Sequence, residues 1–245
     1  MELGELDFGT LLKRQIDREN ASFDTAFTRY YWKEIVECVA SVHKYDIVHS
    51  DLKPANFVLV NGSVKIIDFG IANLIEDHTV NAYRDHQVGT PNYMAPEALL
   101  DTKSSTESLG SRAKLIKLGK PSDIWSLGCI LYQMVYGHAP FANIPNPMQK
   151  VLAIINPNHT IDYPFMGLGG VRVPETLTLL LRSCLDRDQR QRPTAEDLLS
   201  TSDGFLYPNY ELLQSDYMSQ EQLALLIRHV VKLYKNEVSS HNDAM

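Results

Sequence analysis

Apolar residues follow three rhythms along the chain. From Phe27, the residues Phe27, Tyr31, Ile35, Cys38, Val39 and Val42 fall at helical spacing, which places them on one face of a helix running into Ile47-Val48-His49. Two β-branched runs come next, Phe57–Val60 and Val64–Ile67, separated by Asn61-Gly62. Asn-Gly is the preferred type I′ turn because both central residues need φ > 0, so a small hairpin is predicted. The third rhythm is continuous. Ile124 to Gly137, IWSLGCILYQMVYG, is apolar all round yet too short to span a bilayer, and predicts a buried core helix opened by Asp123.

Weaker patterns fill the rest. Pro174 precedes a helical period over Glu175–Leu185, and Thr194-Ala195-Glu196-Asp197, after Arg192-Pro193, resembles a capping box. Pro208 marks a break, beyond which Ser219 and Gln222 suit the start of a last helix with Leu223, Leu226, Ile227, Val230 and Tyr234 on one stripe. Residues 1–20 are polar and mixed apart from Leu11 and Leu12, and residues 71–100 lack a period and read as a long loop. Residues 101–120 hold five basic and two acidic residues among Ser and Gly; they read as a flexible insertion, with a basic docking segment as the alternative. The expected fold is mainly α: a helical bundle around a buried central helix, with a small β-hairpin.

Composition narrows the function. With 44% hydrophobic and 22% charged residues the chain has the profile of a soluble globular protein. A net charge of −7 argues against nucleic-acid binding, which calls for a basic surface. Cys38, Cys129 and Cys184 are odd in number, far apart and form no C-x-x-C pair. They fit small buried hydrophobes in a reducing compartment rather than a zinc site or disulfides. The start, MELGELDFGT, has no apolar core of a secretion signal.

The chemistry is concentrated in two polar clusters. His49-Ser50-Asp51-Leu52-Lys53-Pro54-Ala55-Asn56 puts a carboxylate, an amine and an amide within a few residues, and Asp68-Phe69-Gly70 follows beyond the hairpin. The hairpin turns the chain back, so the clusters can face each other. Phosphoryl transfer needs a carboxylate to accept the proton of the attacking hydroxyl and a cation against the γ-phosphoryl charge. It also needs an amide and a second carboxylate for Mg²⁺. Each piece alone is weak, but the pattern continues through Gly89-Thr90-Pro91-Asn92-Tyr93-Met94-Ala95-Pro96-Glu97, Asp123-Ile124-Trp125-Ser126-Leu127-Gly128 and Arg192, in the order of the kinase signature set.

On these motifs the chain resembles a protein kinase from the hinge to the end of the catalytic domain. The resemblance implies ATP and Mg²⁺ as cofactors, Asp51 as catalytic base, Lys53 on the γ-phosphate, and Asn56 and Asp68 as Mg²⁺ ligands. It implies a buried structural bridge between Glu97 and Arg192, and Asp123 bracing the catalytic-loop backbone. HSDLKPANF, KIIDFGIAN, VGTPNYMAPEA and MELGELD further resemble the monopolar-spindle family of dual-specificity spindle-checkpoint kinases. The fungal branch fits through NFVLV, GTPNYMAPEAL, the insertion before PSDIWS, AIINPNHTIDYP and SQEQL. That family implies a catalytic domain over 1–207, an extension over 208–245, and a nuclear location at kinetochores or spindle poles. Its protein substrates there are phosphorylated on Ser, Thr and sometimes Tyr, with no nucleic-acid or membrane partner.

By the same resemblance Met1 stands at the gatekeeper position and Glu2-Leu3-Gly4 form the hinge. The backbone of Glu2 and Leu3 would bind adenine, with Asp7 near the ribose and Val58 as the pocket floor. Ser50 replaces the Arg that usually receives an activation-loop phosphate. Arg84 and Lys65 are the alternatives by proximity, with Thr79 and Thr90 as expected autophosphorylation sites. No G-x-G-x-x-G and no V-A-I-K precede the catalytic loop. The expectation is therefore a C-terminal lobe without an N-lobe, an open shelf with little activity unless completed. A catalytically silent docking module is the alternative; a degenerate pseudokinase fits less well, since Asp51, Lys53, Asn56 and Asp68 are all present.

Overall fold

The computed structural model describes residues 5–68, 73–74, 91–104 and 119–208. Two units divide the chain, Met1–Leu206 and Tyr207–Met245, and every element below belongs to the first. Strand β1 (Leu6–Asp7) passes directly into helix α1 (Phe8–Ile16). Asp7 makes the switch: its Oδ1 accepts the Thr10 N–H at 2.8 Å and its Oδ2 the Thr10 hydroxyl at 2.6 Å, an N-cap that satisfies an orphan donor. A helix here corrects the expected mixed polar stretch. It buries Phe8 and Leu12 alone, a stripe too thin to read as a period.

Helix α2 (Thr25–His43) is capped by Asp24, whose carboxylate accepts from Ala26 N and Phe27 N. Its buried face is Thr28, Trp32, Ile35, Val36, Val39, Ala40 and His43, rotated by about one residue from the predicted stripe. The rotation has a cause. Strand β4 (Ser63–Ile66), the hairpin partner of β3 (Phe57–Val60), packs beside α2, so its flank meets a sheet rather than solvent. Three side chains one helical turn apart hold that sheet. The Tyr30 hydroxyl donates to Gly62 O at 3.2 Å, Glu34 Oε2 accepts from Val64 N at 3.3 Å, and Cys38 Sγ donates to Val64 O at 3.1 Å. Tyr30 holds the turn, and Glu34 and Cys38 occupy edge groups of β4 that would otherwise stand open. Cys38 is thus half-buried rather than core, and burial with the nearby Glu34 charge pushes its thiol up to about 11.

The hairpin closes as predicted. Val60 pairs with Ser63 and leaves Asn61 (φ 51°) and Gly62 (φ 80°) as the two-residue turn, both in the left-handed region a type I′ turn demands. It is not isolated, because β1 adds a third strand through Leu6↔Leu59 and Asp7↔Val58, in the order β1-β3-β4. Strand β2 (Ile47–Val48) pairs antiparallel with β5 (Asn73–Leu74). That strand and helix α3 (Pro96–Ser104) correct the reading of residues 71–100 as one long loop, and α3 takes the first residues of the expected insertion.

Helix α4 (Lys120–Tyr136) is the buried centre. It opens at Lys120 with Pro121 in its first turn, three residues before the predicted start, and closes on Gly137 at φ 81°, the usual pairing of proline entry and glycine exit. Helix α6 (Glu175–Cys184) crosses it at Gly128, where a Cβ would lie 2.8 Å from Cys184 Cβ. Helix α5 (Pro147–Ile155) was not anticipated. Asn146 Oδ1 caps it by accepting Gln149 N, and Arg187 closes the other end by donating to Ile154 O and Ala153 O. Helix α7 (Ala195–Leu198) has the predicted capping box: Asp197 Oδ2 accepts Thr194 N and Thr194 Oγ1 accepts Asp197 N. All three cysteines are free thiols, and burial pushes Cys184 up to about 12. Glu2, Leu3, Gly4, Thr79, Arg84, Thr90, residues 105–118 and the last helix expected over 219–234 lie outside the described residues.

Candidate active site

Strand β2 delivers the chain into the first polar cluster, and α4 fixes it there. Asp123, in the first turn of α4, is 1% exposed. Its Oδ2 accepts the His49 N–H at 2.9 Å and contacts His43 Nε2 at 2.9 Å; its Oδ1 accepts the Ser50 N–H at 2.8 Å. A buried carboxylate is tolerable with such a set of donors, which are the strong, charge-assisted kind. They hold Ser50 at φ 68°, a conformation uncommon for any residue but glycine.

Beyond Ser50 the side chains alternate. Leu52 is buried at 1%, while Asp51 and Lys53 point outward, both about two-fifths exposed, with Lys53 Nζ 3.1 Å from Asp51 Oδ2. A short 3-10 turn, Pro54–Asn56, then buries Asn56. Its Oδ1 accepts the Lys53 N–H at 3.1 Å and its backbone carbonyl accepts the Ile67 N–H at 2.8 Å. His49 spans the same gap: Nδ1 accepts the Asp51 N–H at 3.4 Å, which leaves Nε2–H to donate to Ile67 O at 3.1 Å. One backbone carbonyl and one side chain of the first cluster, from Asn56 and His49, therefore grip the residue next to Asp68, which is exposed at φ 66°.

The structure brings Asp51 and Lys53 into contact, ties Asn56 to the Lys53 backbone, and places Asp68 one residue beyond the double tie at Ile67. Asp7 and Val58 are register partners across β1 and β3, with Lys65 opposite Val58 on the other side. The hydrogen bonds from Thr10 hold the Asp7 carboxyl below its usual range. Glu97 and Arg192 form a bidentate pair, Nη1–Oε1 2.7 Å and Nη2–Oε2 2.9 Å. Arg192 also donates to Pro121 O and Asp186 O, and its guanidinium lies 5.1 Å from the Trp125 ring centroid.

Two residues of this region escaped the sequence reading. His43 is 2% exposed and reaches Asp123 from the end of α2; as a lone His off the predicted stripe it carried no signal. Lys150 is 4% exposed on α5 and donates to Asn92 Oδ1 at 2.7 Å, and burial lowers its pKa. The segment around Asn92 is held again at Tyr93, whose hydroxyl donates to Gln133 Oε1 at 2.6 Å and whose carbonyl accepts from Ser126 Oγ at 2.7 Å.

The donors suit a hard cation that shares its shell with a ligand. Asn56 and Asp68 offer oxygen, and no group of three or more His, Cys, Asp or Glu among the described residues could hold a metal by itself. Mg²⁺ is characteristically held this way, by one or two protein oxygens completed by phosphates and water. The protein kinase domain family matches residues 3–202. The chain belongs to the protein kinase family. That family works with ATP and Mg²⁺.

Within it the resemblance to the monopolar-spindle kinases holds. The kinase is 41% identical over 97% of its length to serine/threonine-protein kinase mph1 of Schizosaccharomyces pombe. It is 44% identical over 85% to serine/threonine-protein kinase MPS1 of Saccharomyces cerevisiae, and 44% identical over 82% to dual specificity protein kinase TTK of Mus musculus. The matches cover 38%, 27% and 22% of those relatives, so the chain spans well under half of each. No helix among the described residues is long and apolar enough to cross a membrane.

Proposed function

We propose that these residues are the catalytic-loop lobe of a spindle-checkpoint kinase that moves the γ-phosphoryl of ATP to Ser, Thr and sometimes Tyr of protein substrates. The observation that carries this is the Asp51–Lys53 pair, 3.1 Å apart and open to solvent, on a backbone immobilised by a buried carboxylate. Phosphoryl transfer asks little covalent chemistry of the protein and depends on positioning and preorganised charge. Asp51 accepts the proton of the attacking hydroxyl. Lys53 sets its ammonium against the charge of the transferring group. Asn56 and Asp68 would hold Mg²⁺, which neutralises phosphate charge when bound. The backbone of Glu2, Leu3 and Gly4 would take adenine, with Asp7 near the ribose and Val58 beneath the ring. The neighbouring register of Asp7 and Val58 supports that arrangement. Glu97, Arg192 and Asp123 serve the scaffold, and Thr79 and Thr90 are the autophosphorylation sites.

The catalytic domain is read over 1–207 with an extension over 208–245, acting at kinetochores or spindle poles in the nucleus. The 245 residues contain no Gly-rich loop before the catalytic loop. Transfer is therefore proposed to require that loop, a strand Lys and a helix Glu from further polypeptide. The same observation favours a second reading, a silent lobe that docks partners. The test measures transfer from ATP to a protein substrate by the 245 residues alone and by a longer polypeptide bearing a Gly-rich loop upstream. Transfer should be negligible alone, robust in the longer form, and reduced about 10³-fold by Asp51→Asn. Robust transfer by the 245 residues alone overturns the need for completion. A longer form without transfer leaves the docking reading.

A further inference from the structure

Among the described residues Lys150 is the only buried lysine, 4% exposed. It stands on α5, whose ends are fixed by the Asn146 cap and by Arg187, so its stem leaves from a rigid base. Among the described residues its one hydrogen bond goes to Asn92 Oδ1 at 2.7 Å, and no carboxylate pairs with it. An ammonium has three donors. Burying it against one neutral acceptor is a poor way to stabilise a fold, and burial accordingly lowers its pKa. An apolar side chain of the same length would fill the space at less cost. The bond therefore has its value at the far end, in where it holds Asn92.

Asn92 opens a stretch that is fastened at two successive residues. The Tyr93 carbonyl accepts from Ser126 Oγ at 2.7 Å, and the Tyr93 hydroxyl donates to Gln133 Oε1 at 2.6 Å. Burial pushes the Tyr93 phenol up to about 12, so it stays a neutral donor. Ser126 follows Asp123 on α4 by three residues, which sets it on the same side of the helix and about 4.5 Å further along the axis. Asp123 accepts the Ser50 N–H at 2.8 Å, next to Asp51. One turn of α4 thus carries both the catalytic loop and the Asn92–Tyr93 stretch. A protein that presents a hydroxyl to Asp51 must lay its flanking residues over whatever borders that loop, and Asn92 and Tyr93, both half-buried, border it.

We infer, resting on the kinase function proposed above, that Lys150 is a positioning residue for the protein substrate: from α5 it sets Asn92, and with it the wall along which the residues flanking the acceptor hydroxyl lie. Lys150 itself touches neither ATP nor the reacting atoms. Its loss should therefore be felt in the binding of one substrate and not in the chemical step.

The completed kinase, the longer polypeptide bearing a Gly-rich loop, tests this with myelin basic protein as the probe substrate. Lys150→Met keeps the aliphatic stem and removes the donor. KM for the protein should rise about tenfold, while kcat and KM for ATP should change by less than about twofold. Asn92→Ala removes the same bond from its half-buried end and should reproduce the rise. Lys150→Met placed in that background should add nothing further, because the two residues act through one contact. The melting temperature of Lys150→Met should hold or rise, since an apolar side chain replaces a buried cation; a lysine that only supports the fold would do the reverse. An unchanged protein KM in Lys150→Met, an equal rise in the KM for ATP, additive losses in the double variant, or a lowered melting temperature would each overturn the inference. A completed kinase that transfers nothing even without substitution would overturn the kinase reading itself, an outcome distinct from normal transfer that Lys150→Met leaves untouched.

Discussion

Two cation–carboxylate pairs in this kinase look alike in distance and differ in everything else. Arg192 and Glu97 meet at 2.7 Å with the Arg side chain 0% and the Glu 12% exposed. Every guanidinium nitrogen has a partner, and Trp125 lies against its face. Lys53 and Asp51 meet at 3.1 Å with both side chains about 40% exposed, joined by a single contact. The first pair is committed to the fold. The second is open to solvent and keeps hydrogen-bonding capacity to exchange its partner. Saturation marks a structural charge and incomplete satisfaction marks a chemical one, a distinction distance alone does not make.

The sharpest way to break this contrast is to remove one cation or carboxylate from each pair. Arg192→Leu leaves Glu97 without its partner in a nearly dry site and should cost about 3–5 kcal/mol in urea unfolding. Asp51→Asn should change stability by less than about 0.5 kcal/mol, as exposed pairs contribute little. Comparable losses in both variants would erase the distinction. Asp123→Asn is intermediate. The amide turns one acceptor into a donor facing donors, so one of three hydrogen bonds is lost and stability should fall by about 1–3 kcal/mol. In a completed kinase, transfer should fall with it while substrate KM holds, since the loop misplaces Asp51 rather than a binding surface.

The smallest effect concerns the exposed pair between Lys120 Nζ and Asp46 Oδ1 at 2.6 Å. The Lys120 hydrogen bond and charge lower the Asp46 pKa. A carboxylate whose folded pKa is depressed stabilises above its unfolded value, about 3.9, and loses that contribution as pH falls through the folded one. The gap in melting temperature between this chain and Lys120→Met should therefore be full near neutrality and close below about pH 4. A gap that widens in acid would contradict the sign.

What the sequence revealed follows the same divide between local and long-range causes. The Asn61-Gly62 turn, the all-round apolar α4 and the Thr194–Asp197 box are local, and each was legible because a few neighbouring residues determine it. The kinase family was legible in the ordered motif that holds Asp51, Lys53, Asn56 and Asp68. The face of α2 was not. Its buried side includes Thr28 and His43, polar types that a hydrophobic period passes over, while Cys38 was drawn to a flank by the β4 edge. Helix α5 announced itself only by Asn146-Pro147, a cap and a first-turn proline. His43 and Lys150 matter through partners far along the chain, and nothing in their own neighbourhood points there.

The grip of Asp123 on the catalytic loop has a consequence in the life of the chain on the ribosome. His49 and Ser50 are 74 and 73 residues upstream of the carboxylate that holds them. At ordinary synthesis rates of about 5–20 residues per second, that interval lasts roughly 4–15 s. Through it the nascent polypeptide carries Asp51 and Lys53 without the support that shapes their backbone. The shaping of that loop is thereby scheduled behind the completion of α4, and translation itself becomes a timer for it.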